Sequence, residues 1–104
     1  MKEANLMREI QLAASKYGAR LFRNNIGILK DARGQYIRYG LCNPGGADLI
    51  GWTKEGRFLA CEVKTSHGKL TEAQDNFLDE VCRAGGIGFV AHSVEEALQK
   101  IAGI

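Results

Sequence analysis

Apolar positions recur along this chain with two periods. Leu6, Met7, Ile10, Ala13, Ala14 and Tyr17 fall three and four apart, the spacing of one helix face, and Gly18 is placed to end that helix. Shorter apolar runs at 20–23, 27–31, 47–52 and 58–64 read as strands, the last two joined into a hairpin by the turn Thr53-Lys54-Glu55-Gly56. Residues 31–35 read as a turn, and the segment 35–46, with Tyr36, Arg38, Tyr39 and Asn43, has no clear period and reads as a long connection. Thr71 followed by Gln74 is a capping box for a helix with Phe77, Leu78, Val81 and Cys82 on its apolar face, and Gly85-Gly86 closes it. A strand at 87–91 and a last helix through Ile101, opened by a second capping box of Ser93 and Glu96, complete the chain. The order helix, strands, hairpin, helix, strand, helix predicts an α/β fold with a mixed central β-sheet flanked by helices, in one domain over residues 1–104.

Charges interrupt the apolar hairpin at telling places. Asp48 ends Gly45-Gly46-Ala47-Asp48, and Glu62-Val63-Lys64 begins fourteen positions later. Successive strand residues alternate faces, so Glu62 and Lys64 share one face and Val63 takes the other. Charges in an apolar strand are expensive to bury unless they pair or coordinate. Hard cations such as Mg²⁺ take carboxylate, carbonyl and water oxygens, and a metal so held polarises a phosphoryl oxygen and acidifies bound water. The pattern therefore suits phosphodiester hydrolysis, with Lys64 orienting the attacking water or offsetting charge on the phosphate. On spacing alone, a salt-bridged hairpin in which Lys64 neutralises an acid fits as well.

Together with its neighbours, the motif resembles the VRR-NUC nucleases, a branch of the PD-(D/E)XK superfamily. The matching pieces are Phe22-Arg23-Asn24-Asn25-Ile26-Gly27, Gly46-Ala47-Asp48-Leu49-Ile50-Gly51, Glu62-Val63-Lys64, Gly68-Lys69-Leu70-Thr71 and Gln74, within a likeness running from Glu3 to about Ile101. The Pro common before the metal-binding Asp is replaced by Ala47, with Pro44 four residues upstream of Asp48. The resemblance implies a restriction-endonuclease-like core and a Mg²⁺-dependent DNA endonuclease in which Mn²⁺ substitutes. It implies Asp48, Glu62 and the Val63 carbonyl as metal ligands, and Lys64 and Gln74 as the residues aligning nucleophile and phosphate. Glu3, seven residues before Ile10 and so on the first helix's apolar stripe, takes the place of the family's first-helix glutamate and a share in the metal site. Lys69 resembles a phosphate-contacting position, and Asn24 and Asn25 either bind phosphate or make a turn, the family match favouring DNA. Small stand-alone members resemble Holliday-junction resolvases, which implies branched DNA as substrate and a homodimer whose two-fold axis matches a four-way junction.

Charge and composition refine this expectation. The formal net charge is +2, but residues 1–40 carry eight Lys and Arg against Glu3, Glu9 and Asp31, a net +5, while residues 41–104 carry six against nine acids, a net −3. The basic half is the expected DNA-facing half, where Lys16, Arg20, Arg23, Lys30, Arg33 and Arg38 either neutralise phosphates without reading bases or form a solvated face. Tyr36 and Tyr39 beside Arg38 either stack on exposed bases or pack their segment onto the domain. The length of 104 residues allows a modest core and is short for an enzyme that must also grip DNA, which favours a partner subunit. No apolar run reaches the ~20 residues of a membrane span, and the N-terminus lacks the apolar segment of a signal peptide, so a cytoplasmic location is expected. Cys42, Cys61 and Cys82 are odd in number and widely spaced, and read as reduced, mostly packed thiols. His67 and His92 read as surface or hydrogen-bonding residues. Pro44-Gly45-Gly46 lacks the Lys-Ser/Thr of a P-loop and Gly86-Ile87-Gly88 is too short for a dinucleotide fingerprint, so no nucleotide cofactor is expected.

Overall fold

The structure, a computed structural model, describes residues 2–66 and 68–104; His67 lies outside the described residues. The elements run α1 (Glu3–Ser15), β1 (Arg20–Arg23), β2 (Gly27–Lys30), β3 (Tyr36–Tyr39), β4 (Leu49–Trp52), β5 (Phe58–Val63), α2 (Glu72–Arg83), β6 (Ile87–Ala91) and α3 (Val94–Ala102). Four strands form a mixed sheet in the order β1-β4-β5-β6. β1–β4 and β4–β5 pair antiparallel, while β5 and β6 pair parallel, with α2 as the crossover that a parallel pair requires.

Strand alternation sorts this sheet into two faces. Leu21, Leu49, Leu59, Cys61, Val63, Phe89 and Ala91 point to one side and pack with Leu6, Ile10 and Ala14 of α1 and Ala97 and Ile101 of α3. On the other side Ala47 and Ala60 meet Leu78 and Val81 of α2. Glu62, between Cys61 and Val63, belongs to this second face.

The helix ends follow from local chemistry. Thr71 and Gln74 form the expected reciprocal box: Gln74 N donates to Thr71 Oγ1 at 3.1 Å and Thr71 N to Gln74 Oε1 at 2.9 Å. At α3 only half of the expected box forms. Glu96 N donates to Ser93 Oγ at 3.1 Å, but the Glu96 carboxylate reaches one residue further back, accepting from His92 N at 3.0 Å and lying 3.2 Å from the His92 ring.

The segment 35–46 differs from its reading as an irregular connection. Its first part is β3, which pairs antiparallel with β2 through Gly27↔Tyr39, Ile28↔Arg38, Leu29↔Ile37 and Lys30↔Tyr36. Neither strand joins the central sheet. A period-2 pattern shows up in sequence when one face is apolar and the other polar, whereas β3, Tyr36-Ile37-Arg38-Tyr39, is exposed at every position. The cysteines differ too: Cys61 is buried, but Cys42 and Cys82 are exposed. No helix among the described residues is long and apolar enough to cross a membrane.

Candidate active site

The β4–β5 ladder ends at Leu49↔Cys61, and the chain diverges just beyond it. Continued one step, the register sets Asp48 opposite Glu62, two carboxylates on the same sheet face, an arrangement that is repulsive in a plain strand pair. Asp48 is held at this fork from both sides. Its carbonyl accepts from Asn24 N at 2.8 Å, extending the β1–β4 ladder, and its Oδ2 accepts from Val63 N at 2.9 Å, standing in for a ladder carbonyl. The N–H and C=O of one strand residue point to the same side, so the Val63 carbonyl also faces Asp48.

Glu62 is only 3% exposed, and its Oε2 is buried without a hydrogen-bond partner among the described residues. An unsatisfied buried polar group costs about 1–3 kcal/mol, and more when charged. Burial first, then the neighbouring Asp48 carboxylate, hold Glu62 well above the usual carboxylate range; Glu3 pushes the same way and Lys64 opposes them. These features fit a small hard cation: two converging carboxylates, a carbonyl beside them, and an oxygen with no hydrogen-bond partner among the described residues. Among the described residues no three His, Cys, Asp or Glu form a ready-made cage, so waters or substrate oxygens would complete the shell of any cation held here. Burial pushes the nearby Cys61 thiol up, which keeps it unreactive.

Asp48 and Glu62 open onto a cleft of about 800 Å³ that Arg23, Asn25, Tyr39 and Gln74 also line. The loop 41–47 forms one wall, and Asn24 anchors it. Asn24 Nδ2 donates to Leu41 O at 3.0 Å and Ala47 O at 3.1 Å, and Asn24 Oδ1 accepts from Leu41 N at 2.8 Å. The same loop is tied to the β2–β3 ribbon by Asn43, whose Nδ2 donates at 2.8 Å to both Gly27 O and Tyr39 O. Gly46 permits the close passage, since a Cβ there would lie 2.1 Å from Leu41 O.

The other expected site residues are distributed unevenly around this cleft. Glu3 is exposed, but α1 brings its Oε2 to 3.5 Å from Thr65 N at the end of β5, across 62 residues of sequence. Lys64 is half-buried, tied through its backbone N to Ala91 O at 3.0 Å and close enough to Glu62 for its charge to be felt there. Gln74 combines both readings: its Oε1 caps α2, while the residue lines the cleft. Arg23 and Asn25 face the cleft, whereas the Asn24 amide is engaged within the protein. Lys69 is exposed ahead of α2, and Lys30 and Arg38 lie on the ribbon, outside the cleft wall. Met7 and Tyr39 also line the cleft; Tyr39 is one of the aromatics expected either to stack on bases or to pack their segment, whereas Met7 is not expected there. Met7 sits in the apolar stripe of α1 and so reads as core; its position four residues after Glu3 was the available sign. Tyr39 lies over Gly27, where a Cβ would meet the Tyr39 hydroxyl at 2.2 Å.

The VRR-NUC domain family model matches residues 14–95 of the chain, a span that holds Asp48, Glu62, Lys64 and Gln74 and leaves Glu3 to its N-terminal side. No curated protein and no solved structure matches.

Proposed function

The chain belongs to the VRR-NUC domain family of nuclease domains, and from that footing we propose that it is a divalent-metal-dependent endonuclease hydrolysing phosphodiester bonds in branched DNA. One observation carries the reading: Asp48 and Glu62 meet at the end of a strand ladder, with Glu62 Oε2 buried and unpartnered beside a cleft that Arg23 lines. Asp48, Glu62 and the Val63 carbonyl would hold Mg²⁺, or Mn²⁺ in its place, with Glu3 assisting from α1. Bound there, the cation supplies Lewis-acid polarisation of the phosphoryl oxygen and a more acidic water.

The protein's own groups have separate duties in this scheme. Arg23 and Asn25 hold the phosphodiester in the cleft, Arg23 as a charge-assisted donor. Lys64, on the face of Glu62, places positive charge where negative charge grows on the phosphate. The Gln74 amide donates to phosphate or water while its carbonyl stays on Thr71. Lys30 and Arg38 on the ribbon, and Lys69 before α2, attract the duplex arms by phosphate contacts alone. A homodimer acting on a four-way junction would present two such clefts related by a two-fold axis.

The test is cleavage of an end-labelled four-way junction beside matched duplex and flap substrates, in Mg²⁺ and in chelator. Paired, metal-dependent nicks at symmetric positions of the junction are expected. Cleavage of flaps, ends or nicked duplex alone would keep the nuclease and discard the junction role, and cleavage of no substrate would leave a DNA-binding or assembly module.

A further inference from the structure

α2 covers only part of the sheet face that carries Glu62. It packs over β5 and β6 through Leu78 and Val81, with Ile50 of β4 packed against the same cluster, and leaves Phe22, Trp52 and Phe58 exposed. The registers Phe22↔Ile50 and Trp52↔Phe58 place these four side chains on the same face. Phe22, Trp52 and Phe58 are 47%, 48% and 40% exposed, while the same sheet buries small side chains such as Ala60 completely. The Phe22 and Trp52 rings lie 5.6 Å apart, tilted by 48°. With Leu41 and Ile50 the three aromatics line a hollow of about 300 Å³.

Two features identify what this hollow receives. It borders the carboxylate cleft, since Arg23 and Asn24 line both. Its charged groups are cationic: Arg23 is the charged residue of its lining, and the Arg20 guanidinium stands 5.3 Å from the Phe22 ring centroid. Exposed aromatic faces edged by arginines suit a chain that is anionic along its backbone and aromatic in its side groups. An apolar protein surface would satisfy the rings and leave both arginines without a counter-charge.

We propose that Phe22 and Trp52 form a stacking platform for unpaired nucleobases of the DNA strand that passes through the cleft. The proposal rests on the nuclease reading and sharpens its substrate class to DNA with unpaired nucleotides beside the scissile phosphate, whether a single-stranded flap or bases opened at a branch point. Phosphates engage Arg20 and Arg23 while the bases turn onto the rings.

Trp52 is the one tryptophan of the chain, so its emission reports the platform directly. In chelator, where no cleavage occurs, a short single-stranded oligodeoxynucleotide is expected to quench Trp52, and an abasic oligonucleotide of equal length to leave it unchanged. Phe22→Leu should weaken the single-strand interaction by about 5- to 150-fold, and Phe22→Tyr should retain it. Circular dichroism of both variants separates lost stacking from lost fold. Equal quenching by the abasic strand would overturn the proposal, as would unchanged emission from a protein that still cleaves DNA in Mg²⁺. Emission that shifts with protein concentration alone would overturn it in favour of a second copy covering the rings. Quenching by the base-bearing strand without cleavage of any DNA would instead sink the nuclease reading and keep the platform.

Discussion

β5 and the β2–β3 ribbon are made of similar strand-forming residues and meet opposite fates. After Phe58, every residue of β5 is buried, including the carboxylate Glu62 at 3% exposure. In the ribbon, Ile28 is 55% and Tyr36 75% exposed. Hydropathy is inverted between them because burial depends on neighbours: β5 is paired on both edges and covered on both faces, whereas β2 and β3 pair only with each other. Both inversions point toward function. A buried carboxylate with an unpartnered oxygen is costly to fold and suits a cation; an exposed ribbon carrying Lys30 and Arg38 costs little and suits a long anionic partner.

Activity should divide the two regions most sharply. Asp48→Ala or Glu62→Ala is expected to lower Mg²⁺-dependent DNA cleavage by about 10³-fold or more, the loss of several kcal/mol of charge stabilisation. Arg38→Ala on the ribbon should lower DNA affinity only and reduce the slope of log K against log salt by about 1. Wild-type cleavage by Asp48→Ala in the same preparation would remove the assignment of the site.

Stability offers the next contrast. Leu59 in β5 is fully buried, and Leu59→Ala should cost about 2–5 kcal/mol in urea unfolding. Ile37→Ala on the ribbon, at 45% exposure, should cost about 0.5 kcal/mol. Comparable losses would mean that the ribbon is packed against something in solution.

A pH series tests the buried carboxylate itself. The folded state raises the affinity of Glu62 for its proton, so the stability linked to that proton is complete below the ordinary carboxylate pKa and is lost as pH rises through the raised value. In chelator the thermal midpoint should therefore fall from mildly acidic to mildly alkaline pH. Glu62→Gln should flatten that slope, and Mg²⁺ should raise the wild-type midpoint most at the alkaline end. Parallel slopes for wild type and Glu62→Gln would show that another group sets the dependence.

The smallest effect separates the two duties of Gln74. Thr71→Ala and Gln74→Ala each remove the capping box and should cost about 1 kcal/mol. Only Gln74→Ala should also slow cleavage at saturating DNA. Equal cleavage rates for the two variants would confine Gln74 to the cap.

Much of this was legible from the chain because the signals are local. Helix stripes, the Thr71 box, the 53–56 turn and alternation in β4 and β5 each depend on a few consecutive residues, so Glu62 could be placed on its strand and face from spacing, while Asp48 and Lys64, read as strand residues, lie one position outside β4 and β5. Glu96 marks a limit even there: its carboxylate accepts from His92 N and not from the Ser93 N–H that the box spacing suggested, a competition between donors one residue apart. Asn24 marks another, since a sequence cannot tell whether an amide will face phosphate or tie down a loop seventeen residues away.

What the amino-acid order determined by itself is the identity of the acidic pair, the periods that make each element, and which residues of a strand share a face, for these follow from backbone geometry within one segment. Only the tertiary structure decided that the β4–β5 ladder stops at Leu49↔Cys61, so that Asp48 turns to Val63 N and Glu62 loses its partner, and that the ribbon leaves the central sheet. It also decided that α2 covers Ala60 but not Trp52. Pairing and coverage depend on segments distant in sequence, and alternation within a strand carries no record of them.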